Sequence, residues 1–153
     1  MPGLREKINT SLKDAMRARD ATRVATLRLI NAAIKDRDIA LRAEARREGV
    51  TDAEIVTILA KMVKQRQESV RSYEEGGRLD LAQAEADEIA VIEGFLPRQM
   101  DDAETERAIA AAIEETGATG VRDIGRVMAL LKTRHAGSMD FAVVGPKVKA
   151  RLA

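Results

Sequence analysis

The sequence predicts an all-α protein, and three observations carry that reading. Apolar residues recur at intervals of three and four along most of the chain, the spacing that lines one face of a helix. Good helix formers (Ala, Leu, Met, Arg, Lys, Glu) dominate, and only three prolines and ten glycines interrupt them. Aromatic residues make up 2 % of the 153 positions, so the core must be aliphatic. A chain of this length suits one ordinary domain or two small ones.

Leu4, Ile8, Leu12 and either Ala15 or Met16 trace a first helix over about residues 3 to 18. Asp20 is placed to cap a second, in which Val24, Leu27, Ile30 or Asn31, Ile34 and Leu41 form one stripe from 21 to about 47, with Gly49 as its stop. Thr51 and Glu54 have the spacing of a capping box, in which each side chain accepts the other residue's free backbone N–H. The helix they open carries Ile55, Leu59, Met62, Val63, Val70 and Tyr73 inward and closes at "EEGG", residues 74 to 77. The short link between the second and third helices predicts a long antiparallel hairpin.

Asp80 is expected to cap a fourth helix with Ala82, Ile89, Ile92 and Leu96 on its inner side. Pro97 ends it, because proline disfavours helical geometry at the residue before it. Asp101 or Asp102 then caps a fifth helix that turns Ile109 and Ile113 inward, and "TGATG" closes it. Val121, Ile124, Met128 and Leu131 define a sixth. Gly125 inside that helix costs stability relative to alanine, which predicts close approach of another backbone. After "HAGSMD", Phe141, Val144, Val148 and Leu152 give a last helix that Pro146 must distort or begin.

Two subdomains follow: a four-helix part over residues 1–97 and a three-helix part over 98–153. Phe95, Leu96 and Pro97 form the expected joint, with the Phe95 ring wedged between the parts.

Catalytic chemistry has little to work with. A chain without cysteine has no disulfide, thiolate zinc site or thiol nucleophile, and the expected compartment is the cytoplasm. The first residues carry charges where a signal peptide needs an apolar run, and no apolar stretch is long enough to span a membrane. His135 is the lone histidine and falls where the sixth helix should end, a position where it meets terminal carbonyls and the helix dipole. Glu74–Glu75, Asp87–Glu88 and Asp101–Asp102 are adjacent pairs, whose side chains diverge on a helix, so neither a metal nor another cofactor is expected.

"GATGVRDIG" resembles a phosphate loop only superficially, since no strand precedes it and no Gly-Lys-Ser or Gly-Lys-Thr follows. Ser11, Ser69, Ser72 and Ser138 have no sequence partner that would activate a nucleophile. No catalytic residue is assigned.

Charge is the remaining signal. The net charge of +1 conceals 12 basic and 7 acidic side chains in residues 1 to 50, 7 and 16 in 51 to 120, and 7 and 2 in 121 to 153. Arg126, Lys132, Arg134 and His135 on the sixth helix, with Lys147, Lys149 and Arg151 on the seventh, are the candidate phosphate-binding residues. With so few aromatics for base stacking, the expected ligand is a folded RNA read through its backbone; DNA is not expected. The competing reading is a solvated basic face.

Residues 66–100, "RQESVRSYEEGGRLDLAQAEADEIAVIEGFLPRQM", resemble the signature of the YqeY-like proteins. Arg66, Ser69, Tyr73, Gly77-Arg78, Asp80-Leu81-Ala82, Glu85, Glu88-Ile89, Ile92, Leu96-Pro97 and Gln99 carry the match, and the later "DIGRVM" and "GSMDFA" fit it. That family is similar to the tail domain of GatB, the B subunit of the tRNA-dependent amidotransferase. The resemblance implies an all-helical protein related to the tRNA-contacting appendage of that enzyme. The amidase and phosphorylating sites of the enzyme lie in other parts, and their residues are absent here.

The expected function is therefore a non-catalytic accessory protein that binds tRNA or another folded RNA. The alternative is a protein-interaction module that docks to a partner enzyme through the helical hairpin or the Phe95 region. Glutamine-dependent carbon–nitrogen ligase activity, an amidotransferase reaction, ranks last.

Overall fold

Side-chain caps start four of the seven α-helices that the computed structural model describes over residues 3–44 and 49–153. α1 spans Leu4–Arg17, α2 Ala21–Ala43, α3 Asp52–Glu75, α4 Leu79–Glu93, α5 Asp102–Thr116, α6 Ile124–Arg134 and α7 Phe141–Leu152, with a 3₁₀ turn at Val121–Asp123 before α6. Asp20 accepts the Arg23 N–H at 3.1 Å, and Thr51–Glu54 and Asp101–Glu104 form full capping boxes. The described residues contain no strand, as the apolar spacing requires. They form two compact units that divide between Leu96 and Pro97.

In the first unit α2 supplies Leu27, Ile30, Ile34 and Leu41, α3 supplies Ile55, Leu59, Met62 and Val63, and both bury them in one aliphatic core with Ile8 and Ile92. Ala15 rather than Met16 faces inward from α1. The last expected turn of α2, residues 45 to 47, lies outside the described residues.

Helix pairing differs from the expected hairpin. α3 packs most extensively on α4, and α2 packs on α1 and α4 more than on α3. The cause is the tight reversal at Gly76–Arg78: Gly77 takes φ 74°, and the Arg78 N–H donates to the Tyr73 carbonyl at 2.8 Å. This folds α4 straight back along α3. The Arg66 guanidinium then reaches Glu88 at 2.8 Å across the pair.

α4 also begins one residue before the expected cap. Arg78 takes the N-cap position without a capping side chain, and Asp80 sits in the first turn bound to the Arg78 guanidinium. The helix stops at Glu93 with Gly94 as its C-cap, and the turn before Pro97 closes through Phe95 N–H to Ile92 O and Leu96 N–H to Glu93 O, each 3.1 Å; Pro97 disfavours a return to helical geometry at Leu96. The half-buried Phe95 and Leu96 side chains pack on the first unit's core.

The second unit has its own core of Ile109, Ala112, Val127, Leu131, Met139, Val144, Val148 and Leu152. α6 packs against both α5 and α7. The 3₁₀ turn rotates the start of the sixth element, leaving Val121 45 % exposed and making Val127 a core residue. Gly125 has no atom within 4 Å of where a Cβ would stand, so the expected close backbone approach is absent there. Pro146 neither begins nor ends α7. The helix starts at Phe141 behind Asp140, which accepts the Ala142 N–H at 3.0 Å, and continues past the proline to Leu152.

Candidate nucleic-acid interface

The seven candidate residues all lie on α6, its C-cap and α7, outside the aliphatic core of the second unit. Burial of Val127 and Leu131 fixes which way α6 turns, and burial of Val144, Val148 and Leu152 does the same for α7. The cations are therefore displayed on the remaining arcs of each helix.

Four of them meet acids, and three of those pairs span distances along the chain that no local spacing marks. Arg126 donates to Asp123 at 2.8 Å and to the Thr116 carbonyl at 3.0 Å, tying the start of α6 to the end of α5. Asp123 also accepts the Thr119 N–H at 3.0 Å and the Gly120 N–H at 3.3 Å. The Thr119 N–H first, and then the Arg126 guanidinium, hold the Asp123 carboxyl down at about 2. Arg134 pairs with Glu115, which lowers that carboxyl and raises the guanidinium above its ordinary value.

Lys147 and Arg151, one turn apart on α7, converge on Glu106 of α5 at 3.5 and 3.1 Å. Beside Arg151, an open groove of about 320 Å³ is lined by Ala110, Ile113 and Glu114. Lys132 and Lys149 are exposed and have no ion-pair partner among the described residues.

His135 is the C-cap of α6. Its N–H donates to the Leu131 carbonyl at 2.8 Å, and its own carbonyl accepts the Ser138 N–H at 3.0 Å. Glu106 and Glu115 were invisible as partners, since contacts 45 and 19 residues apart leave no local spacing signal.

The arrangement is a set of surface cations on two helices, four of them paired with carboxylates and Lys132 and Lys149 without an acid partner among the described residues. It offers no nucleophile–base pair. Among the described residues no group of three or more His, Cys, Asp or Glu could hold a metal ion, and no helix is long and apolar enough to cross a membrane.

Comparison with known proteins adds identity at the family level. An uncharacterised protein of Schizosaccharomyces pombe is 27 % identical over 97 residues, covering 63 % of this chain and 75 % of its own length. The protein named altered inheritance of mitochondria protein 41, mitochondrial, is 33 % identical in Eremothecium gossypii over 58 % of this chain and 46 % of its own. In Clavispora lusitaniae the protein of that name is 33 % identical over 61 % of this chain and 51 % of its own. The chain thus spans only about half the length of these mitochondrial relatives. The family described as Yqey-like protein matches residues 5–152, nearly the entire chain, and the chain belongs to that family.

Proposed function

We propose that this chain is a non-catalytic accessory protein that binds tRNA or another folded RNA, using the cations of α6 and α7. The observation that carries the reading is the ordered agreement of residues 66–100 with a family similar to the tRNA-contacting tail of the amidotransferase B subunit. The electrostatics support it. Lys132 and Lys149 lack an acid partner among the described residues, and the Arg134–Glu115 and Arg151–Glu106 pairs are solvent-exposed. Exposed pairs of this kind are worth about 0–1 kcal/mol, so a phosphate can take the place of the carboxylate at little cost. In this reading residues 98–153 form the RNA-facing part and residues 1–97 carry it. The cysteine-free composition fits a reducing compartment, for which we propose the cytoplasm.

Fluorescence titration of the full chain with unmodified tRNA over a salt series tests the reading. The logarithm of affinity should fall linearly with the logarithm of salt concentration, and replacing Lys132, Lys147, Lys149 and Arg151 by glutamate should abolish binding. Absence of binding at low salt refutes the proposal.

A second reading, docking to a partner protein, draws on Leu79, which is 68 % exposed at the α3–α4 reversal. Recovery of a protein partner after nuclease treatment, lost on Leu79→Ser, would favour it.

A further inference from the structure

Three helices end in the same way, and one of them uses the wrong residue. After α3 and α5, glycines at φ 74° and 66° (Gly77 and Gly117) occupy the left-handed position, and the following N–H reaches back five residues to Tyr73 and Ile113. After α1 that position is Arg19, at φ 56°. Its N–H donates to the Met16 carbonyl at 3.2 Å, and the Asp20 N–H donates to the Ala15 carbonyl at 3.0 Å, the same Schellman pairing. A left-handed L-residue is sterically strained where glycine is not. The Arg19 side chain returns nothing to the fold, being exposed and without a partner among the described residues.

Other cations lie close to it along the chain. Lys13 and Arg17 are exposed one turn apart on α1, and Arg23 stands in the first turn of α2. Two acids lie among them: Asp20 is occupied as the α2 cap, and Asp14 lies 3.8 Å from Arg17 with both side chains exposed. Unlike Arg126, Arg134, Lys147 and Arg151, the cations Lys13, Arg19 and Arg23 have no acid bound among the described residues.

From this we infer that the α1–α2 reversal is a phosphate-contacting surface of the first unit, with Arg19 held in a strained turn so that its guanidinium joins Lys13, Arg17 and Arg23 against the backbone of a folded RNA. The inference deepens the RNA-binding reading and rests on it. It differs in placing contacts outside the C-terminal helices.

The test titrates the full chain with unmodified tRNA at several salt concentrations. Lys13→Gln/Arg17→Gln/Arg19→Gln should weaken binding at least tenfold at low salt and reduce the salt slope by about 2 to 3, near 0.9 for each duplex phosphate that the variant leaves unneutralised. Arg19→Gly should raise the thermal midpoint by relieving strain while weakening binding several-fold, a pair of opposite effects that a purely structural Arg19 cannot give. An unchanged affinity and slope in the triple variant, with binding abolished instead in Lys132→Gln/Lys149→Gln, overturns this inference and leaves the C-terminal reading intact. A rise in midpoint for Arg19→Gly with affinity unaltered also overturns it. Failure of the unaltered chain to bind tRNA overturns both.

Discussion

Removing the Asp38 carboxylate should cost the first unit about 1.5–3 kcal/mol, although no sequence pattern marks this residue. Asp38 lies on α2 with its side chain 17 % exposed and accepts three hydrogen bonds. Two come from the Arg5 guanidinium at 3.0 and 2.9 Å and one from the Val50 N–H at 3.0 Å. It thereby fastens α1 and the chain just before α3 to the C-terminal part of α2. In Asp38→Ala, the loss of a pair whose arginine is 41 % exposed costs about 0.5–1 kcal/mol. Leaving the part-buried Val50 N–H without an acceptor adds about 1–2 kcal/mol. Asp38→Asn keeps an acceptor for Val50 and should lose only about 1 kcal/mol.

Urea unfolding of the full chain, followed by far-UV circular dichroism, measures both. The Arg5 guanidinium first, helped by the Val50 N–H, holds the Asp38 carboxyl below the usual carboxylate range. A folded-state value below the unfolded one means that the stabilisation is complete above pH about 4 and is lost as pH falls through the folded value. That part of the acid dependence should vanish in Asp38→Asn. Equal costs for the alanine and asparagine variants, or a cost for alanine below about 0.5 kcal/mol, would refute the clamp.

Other perturbations test the remaining packing and electrostatics. Gly49→Ala should be destabilising, because Gly49 holds φ 76° and an added Cβ would stand 3.2 Å from Asp38 Oδ1; urea unfolding reads the loss. Gly125→Ala should stabilise by about 0.5–1 kcal/mol, since the site is open and helical, and a lower midpoint would show a contact there after all. Phe95→Ala should cost about 1–2 kcal/mol in urea unfolding, less than the roughly 3–5 of a fully buried ring, because Phe95 is half-buried on the first unit's core. Asp123→Asn should flatten the acid unfolding profile between pH about 4 and 2: the folded carboxyl titrates near 2, so its contribution is present above the unfolded value and disappears as pH falls through the folded one.

Which features the sequence revealed follows from how local their causes are. The capping box at Thr51–Glu54, the Asp20 cap and the glycine helix stops act within one turn, so residue spacing revealed them, whereas the choice of Asp101 over Asp102 and its box with Glu104 came from the structure. The inward stripes of α2 and of α3 from Ile55 to Val63 were legible for the same reason, since helical period alone decides which side chains share a face, while the expected Val70 and Tyr73 are only half-buried. The end of α4 at Glu93, the 3₁₀ turn that exposes Val121, and the passage of α7 through Pro146 were not legible, because each is a compromise between local preference and the burial available around it.

The candidate surface shows the same division more sharply. The sequence by itself determined that the protein is helical, that its core is aliphatic and that cations gather on α6 and α7. Only the tertiary structure decided that α3 pairs with α4 and that Asp38 joins Arg5 to Val50. It also decided that Glu106 and Glu115 engage Lys147, Arg151 and Arg134 while Lys132 and Lys149 have no such acid among the described residues. Helical period and capping are properties of neighbours along the chain, whereas charge pairing and helix partnership depend on distances that exist only after the cores have closed.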